Sequence, residues 1–156
     1  MIPVRPLIIF DLDGTLCNIK HRAKYIANMD NVPDFKKDWA KFRAEWHHDT
    51  PIEPTVRLLN HLQMFADIKI FTARNAVERD TTFDWLDEHC QLVTIDMKMR
   101  SEEDRRCDTE VKLDMFNSLS QYDRDRILCC FEDRDRCVKM WRDLGLICYQ
   151  VDYGNF

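Results

Sequence analysis

At 156 residues, 45% of them apolar, the chain is sized for one domain with a filled core and room for a small inserted module. A formal charge of −5 excludes a generic polyanion-binding surface, though not a local basic pocket, and no apolar run approaches the length of a membrane span. The seven cysteines are odd in number and none pairs as C-x-x-C, so the composition points to a reducing, cytoplasmic setting rather than a disulfide scaffold. Cys129 and Cys130 lie in an apolar run, where cysteine serves as a small core residue. The opening Met-Ile-Pro-Val-Arg-Pro leads directly into the first apolar run and carries no secretory signal pattern.

Leu7 to Leu12 reads as a first buried strand that stops at Asp11, Asp13, Gly14 and Thr15. Residues 17 to 50 differ in character, with basic and aromatic residues and no long apolar run. Phe35, Trp39, Phe42 and Trp46 recur there at spacings of four, three and four, which is one face of a helix, with Asp34 or a neighbour as its cap. Such a stripe fits contact with a core better than a platform for a nucleobase. A helix is expected from about Pro54 to Phe65, burying Val56, Leu59, Leu62 and Phe65. Ile68 to Thr72 is a second strand, ending in Thr72-Ala73-Arg74-Asn75. The helix from about Ala76 to His89 buries Val77, Phe83 or Trp85, and Leu86. Leu92 to Met97 is the third strand. A charged stretch from Lys98 to Asp108 comes next, read as a solvated turn that also places Arg100, Arg105 and Arg106 where a phosphate-bearing substrate approaches. Thr109 to Leu119 is a helix with Lys112 in its first turn, and the Arg/Asp run at 123 to 126 is another turn. Ile127 to Phe131 is the fourth strand, followed by Glu132-Asp133. A helix from Arg136 to Leu144 stops at Gly145, and Ile147 to Val151 is the fifth strand.

Alternation of strands and helices predicts a parallel sheet covered on both faces, with ligands beyond the C-terminal strand ends. Three of those ends carry polar groups: Asp11 and Asp13, Thr72 and Arg74, Glu132 and Asp133. Carboxylates gathered at one rim repel each other, and a hard divalent cation with oxygen ligands, Mg²⁺ above all, resolves the repulsion. Zinc is disfavoured because no His or Cys joins the group, and His47-His48 diverge on a helix. A metal, a nucleophilic carboxylate, a hydroxyl and a lysine suit phosphoryl transfer, with one carboxylate attacking and the other moving the proton. Lys112 near a helix N-terminus opposes the helix dipole, which hints at an anion nearby.

Asp-Leu-Asp-Gly-Thr after an apolar strand resembles the first motif of the haloacid dehalogenase-type phosphohydrolases, and Thr72, Lys112 and Glu132-Asp133 succeed it in that family's order. The resemblance implies a three-layer α/β/α, Rossmann-like parallel sheet of about five strands. Residues 1–16 and 51–156 would form the core and 17–50 a small helical cap. It makes Asp11 the nucleophile and Asp13 the general acid/base, with Thr72 and Lys112 holding the phosphoryl group and Gly14 and Thr15 completing the motif around it. Mg²⁺ would be held by the Asp11 side chain, the Asp13 backbone carbonyl and Asp133, with Glu132 acting directly or through water. Phe131-Glu132-Asp133-Arg134, Val138 to Gly145 and the tail Tyr149-Gln150-Val151…Gly154-Asn155-Phe156 resemble, more narrowly, the 3′-phosphatase domain of phage-type polynucleotide kinase-phosphatases. So does Arg100…Asp104-Arg105…Asp108…Val111-Lys112. That likeness adds Arg22, Arg74, Arg100 and Asp108 as substrate-side residues, Asp108 having an N-cap as its other reading. Glu132 departs from the usual Asp of that domain. No G-x-x-x-x-G-K-[ST] loop occurs, so the chain reads as a free-standing phosphatase domain.

The expected activity is thus Mg²⁺-dependent phosphomonoester hydrolysis through an aspartyl-phosphate, at the 3′-phosphate of a nucleic-acid end or nucleotide. The alternatives are a 5′-nucleotidase or small-metabolite phosphatase, a phosphotransferase sharing the same intermediate, or a non-catalytic module that binds nucleic-acid ends or a protein. No membrane and no obligate protein partner is expected.

Overall fold

The computed structural model describes residues 4–28 and 30–155; Met1, Ile2, Pro3, Met29 and Phe156, and with them the opening and closing residues of the sequence motifs above, lie outside the described residues. In chain order the elements are β1 (Leu7–Phe10), β2 (Cys17–Asn18), α1 (Lys20–Ala23), α2 (Trp39–Ala44), β3 (Thr50–Pro51), α3 (Glu53–Leu62), β4 (Asp67–Asn75), α4 (Arg79–Cys90), β5 (Met97–Arg100), α5 (Asp108–Asn117), α6 (Gln121–Asp125), β6 (Ile127–Arg134), α7 (Asp135–Asp143) and β7 (Cys148–Gly154). Single 3₁₀ turns occupy Trp46–His48 and Ala76–Glu78.

Five strands form one parallel sheet in the order β5-β4-β1-β6-β7. The chain winds outward from β1 to β4 and β5, then returns to β1's other side with β6 and β7. The order therefore reverses at β1, and ligands in open parallel sheets collect at such a reversal. Side chains alternate across the sheet as a period of two demands. Ile8, Phe10, Ile68, Ile70, Cys129 and Phe131 face a cluster that includes Val56 and Leu59 of α3 and Trp85 and Leu86 of α4. Ile9, Phe71 and Cys130 face the other way, against Val111 and Met115 of α5 and Val138 and Trp141 of α7. The Phe10 and Phe131 rings stack across neighbouring strands, with centroids 4.5 Å apart. This is the three-layer α/β/α arrangement expected. Trp141 is almost wholly buried and meets Phe71 and Phe116. Trp141→Ala should cost about 3–5 kcal/mol of folding stability, measurable by urea denaturation.

Between β2 and β3 the chain leaves the sheet and returns. These two short strands pair antiparallel, Cys17 with Pro51 and Asn18 with Thr50, and bring the two ends of the excursion together.

Several boundaries differ from the sequence expectation. The first strand ends at Phe10, because the amides of Thr15, Leu16 and Cys17 all turn back onto the Leu12 carbonyl. The third strand is Met97–Arg100, not Leu92 to Met97: the apolar run at 92–95 forms the approach to the edge strand, and Val93 is 88% exposed. An edge strand pairs on one side only, so its own residues need little apolar character. The helix at 54–65 stops at Leu62, and Phe65 is exposed. In α4 it is Trp85 and Leu86 that are buried, while Phe83, and Val77 in the 3₁₀ turn before the helix, are exposed. The 123–126 run lies largely within a short helix capped by Ser120, whose side chain accepts from the Asp123 amide. The aromatic stripe is not one helical face either: α2 begins only at Trp39, Asp38 rather than Asp34 caps it, and Phe42 alone is buried. Gly145 comes just after α7 with φ +82°, the left-handed position a helix C-terminus favours. No disulfide joins any of the seven cysteines. Among the described residues no helix is long and apolar enough to cross a membrane.

Candidate active site

Parallel registration sets the site. Phe10 lies level with Ile70 and with Phe131, and the Asp11 amide donates to the Phe131 carbonyl at 2.9 Å. The residues just C-terminal to Phe10, Ile70 and Phe131 must therefore meet at one rim. Asp11, Asp13, Arg74, Glu132 and Asp133 do meet there, with Arg22, Arg100, Asp108 and Lys112, around a cleft of about 640 Å³. Gly14, Thr15 and Thr72 are not among the residues that line it. Gly14 has φ +88°, and a Cβ there would come within 2.1 Å of the Asp133 Oδ2, so its bare backbone makes room for that carboxylate.

The turn after β1 sends the two aspartates into different surroundings. Asp11 is buried; Lys112 Nζ donates to its Oδ1 at 2.6 Å and Thr15 Oγ1 to its Oδ2 at 3.1 Å. Lys112, only 3% exposed, also donates to Glu132 Oε2 at 2.6 Å. Carboxylate oxygens of Asp11, Glu132 and Asp133 lie within 4.8 Å of one another. Burial raises the Asp11 carboxyl above its ordinary range, Glu132 adds to the rise, and Lys112 only partly offsets it. Burial likewise raises Asp133, reinforced by Asp11 and Glu132. For Lys112 burial works against the charge, but Asp11 and Glu132 outweigh it and hold the ammonium protonated. Lys112 bonds two of these three buried carboxylates, and Asp11 and Asp133 both remain raised, so the centre is short of positive charge. An all-oxygen donor set with a charge deficit fits a hard divalent cation such as Mg²⁺.

Asp13 faces the opposite balance. Its Oδ1 accepts from Arg22 Nη2 at 2.7 Å and Arg74 Nη2 at 2.6 Å, and its Oδ2 accepts from Arg74 Nε at 3.0 Å. Burial alone would raise this carboxyl, but Arg74 and then Arg22 overcome it and hold Asp13 well below the usual carboxylate range. The arginines are themselves fixed by Asp49, whose buried side chain accepts from Arg22 Nε at 2.7 Å, Arg22 Nη2 at 2.5 Å and Arg74 Nη2 at 2.7 Å. Trp85 Nε1 donates to the Asp49 carbonyl, tying the pair to α4. Asp13, Cys17 and Asp49 also cluster, but two guanidinium groups already balance the two aspartates there.

Asp49 escaped the sequence reading. The only signal for it is that β3 begins one residue later and pairs with β2, which brings residue 49 back beside Arg22.

The remaining expected residues take these places. Thr72 is fully buried and its Oγ1 accepts from the Arg74 amide at 3.2 Å, so it braces the end of β4. Asp108 is the first residue of α5, and Cys107 is the N-cap, so the N-cap reading of Asp108 is corrected. The Asp108 carboxylate binds the guanidinium groups of Arg134 and Arg136. Arg100 donates to the carbonyls of Ala73 and Arg106 at 2.9 and 2.6 Å, lashing the 100–108 stretch to the end of β4. Glu132 Oε1 accepts from the amides of Asp133 and Arg134 at 3.3 Å, so Glu132 bridges Lys112 and the turn after β6.

Residues 5–156 match the family model described as the polynucleotide kinase PNKP phosphatase domain. The chain belongs to this family. Two solved structures of a Pnkp1/Rnl/Hen1 complex, one described as an RNA repair complex, contain chains 26% identical to it. They superpose with TM-scores of 0.75 and 0.74 over 99% and 97% of this chain. The chain spans about half of those chains, 48% and 44%. A putative phosphatase from Clostridium difficile, 18% identical, shares the fold with a TM-score of 0.61 over 96% of this chain and 86% of its own. So does a haloacid dehalogenase-like hydrolase from Streptococcus pneumoniae, 15% identical, at 0.60 over 93% and 83%. As a member of the PNKP phosphatase-domain family, residues 5–156 form a haloacid dehalogenase-type phosphatase domain.

Proposed function

We propose that the protein is a Mg²⁺-dependent phosphomonoesterase that works through an aspartyl-phosphate and acts on the 3′-phosphate of a nucleic-acid end or nucleotide. The observation that carries this reading is the split environment of the two aspartates. Asp11 stands beside Lys112 in an acidic centre, and Asp13 stands between two arginines. The membership in the PNKP phosphatase family and the setting of the Pnkp1 neighbours in an RNA repair complex support the substrate class.

Asp11 attacks phosphorus; its Oδ–P bond forms as the bond from phosphorus to the 3′-oxygen breaks. Asp13 gives a proton to the departing oxygen, then takes one from the water that attacks the aspartyl-phosphate, which restores Asp11 and releases inorganic phosphate. The incoming phosphate, an anion itself, competes with Asp13 for Arg22 and Arg74 and so returns the Asp13 carboxyl toward the protonated form it needs to donate. Lys112 neutralises charge on the phosphoryl group from the Asp11 side, and Thr72 holds the end of β4 and so places Arg74. Asp11, Asp133, the Asp13 carbonyl and Glu132 would hold Mg²⁺, which supplies further offset of the negative charge that builds on the phosphoryl oxygens.

The test is phosphate release from a 3′-phosphorylated oligonucleotide, set beside 5′-mononucleotides and sugar phosphates. The oligonucleotide should be turned over, EDTA should stop the reaction, and added Mg²⁺ should restore it. Activity that survives EDTA rules out the metal, and preference for a 5′-nucleotide or sugar phosphate rules out the 3′-end assignment.

A further inference from the structure

The cleft has a second lining that the phosphate chemistry leaves unused. Trp39, Phe42 and Trp46, all from the excursion between β2 and β3, line the same cavity as Asp11 and Asp13. Phe42 is buried and carries the Arg22 guanidinium 4.2 Å from its ring centre. Trp39 packs edge-on against Phe42, with centroids 5.8 Å apart and planes at 86°, yet stays 45% exposed. Trp46 is half-buried. A core stripe would hide these rings. Here two indoles are held in place by their neighbours and left accessible inside a cleft, which is the form of a stacking platform.

Positive charge gathers beside that platform from two separate elements. Lys37 reaches over the Trp39 ring, its Nζ 5.7 Å from the centre. Burial and the facing Arg136 and Arg134 push its ammonium below the ordinary lysine range, and Asp108 is the carboxylate that opposes this. Asp108 is already bonded to both arginines. Lys37 and Arg136 thus repel one another, with Asp108, bonded to Arg136, as the carboxylate that partly offsets the repulsion. A phosphodiester among Lys37 and Arg136 would relieve the repulsion. The cavity volume of about 640 Å³ is in the range that takes a nucleotide.

We infer that this part of the cleft binds the 3′-terminal nucleotide of the substrate: its base stacks on Trp39 and Trp46, and the phosphodiester on its 5′ side lies between Lys37 and Arg136. The inference rests on the 3′-phosphatase reading and deepens it. A sugar phosphate offers no π face to the indoles and no second phosphate to the cations.

Two 3′-phosphorylated oligonucleotides test it, identical except that in one the terminal nucleotide lacks its base. Wild-type protein with Mg²⁺ should favour the base-bearing substrate in kcat/KM by roughly tenfold. Trp39→Ala combined with Trp46→Ala should bring that ratio close to one, whereas Trp39→Phe with Trp46→Phe should keep most of it. Lys37→Ala should narrow the preference for a 3′-phosphorylated dinucleotide over a nucleoside 3′-phosphate. Equal turnover of both oligonucleotides by wild type, or an unchanged ratio in the double alanine variant, overturns the base subsite and leaves the 3′-phosphatase reading standing. Turnover of neither overturns both. Should the alanine pair fail to fold, the wild-type ratio and the phenylalanine pair still decide.

Discussion

Asp11→Asn should abolish phosphate release, by a factor on the order of 10⁴ or more, while the protein stays folded. The amide has the shape of the carboxylate. Its oxygen can keep the bond from Lys112 Nζ, and its NH₂ can donate to the Thr15 hydroxyl, so both contacts of Asp11 have replacements. What disappears is the nucleophile. Stability should move the other way. Burial and the neighbouring Glu132 raise the Asp11 carboxyl in the folded protein above its ordinary value of 3.8. A carboxyl raised in this way stabilises the fold fully below its unfolded value, and that contribution is lost as pH rises through the folded value. The neutral amide does not titrate. In EDTA the melting temperature of Asp11→Asn should therefore gain on wild type between about pH 4 and about pH 7, the span from the unfolded value to the folded one. Turnover assays together with thermal melts at several pH values check both halves. Activity near the wild-type level would remove Asp11 as nucleophile.

Lys112→Met should lose activity and, in EDTA, about 3–5 kcal/mol of folding stability by urea denaturation. The methionine fills much of the same volume but leaves Asp11 and Glu132, close to Asp133, without the cation they share. Lys112 is the fifth residue of α5, in its second turn rather than the first turn expected from the sequence, and the carboxylates it bonds account for its place there. Part of the loss should return in the Asp11→Asn, Lys112→Met double variant, because one of the stranded charges is then gone; the two effects should not add. A loss below about 1 kcal/mol would mean that water reaches this centre and screens it as on a surface.

The sheet and the innermost residues of the site were legible because they arise from local pattern. Apolar runs of strand length ended in polar residues, and parallel registration carries such ends to one rim. That is how Asp11, Asp13, Arg74, Glu132 and Asp133 come to surround one cleft, which Lys112 joins from α5. The failures are of two kinds. Leu92 to Met97 looked like a strand because the composition of its first residues is strand-like, yet the paired residues are Met97–Arg100, which alternate with charges. Hydrogen bonding to β4, not apolar content, decides that boundary. Asp49 and the aromatic stripe failed for a different reason. Their meaning depends on how an excursion of irregular backbone folds back, and spacing carries no information about that. Helical periodicity placed Phe35, Trp39, Phe42 and Trp46 on one face, but α2 is a single short helix that begins at Trp39.

The β2–β3 pair also bears on how this protein can be re-engineered. It works as a clasp: Cys17 and Asn18 meet Pro51 and Thr50, so the excursion begins and ends at nearly the same point in space. Segments that start and finish together can be exchanged for others of different length with little demand on the sheet. Here the exchange has a condition. Arg22 lies just inside one side of the clasp and Asp49 just inside the other, and together they set the polarity around Asp13. A graft that keeps residues 17–22 and 49–51 and replaces what lies between would change which molecule is admitted while retaining the proton-transfer apparatus. One that cuts at the clasp itself would carry half of that apparatus away.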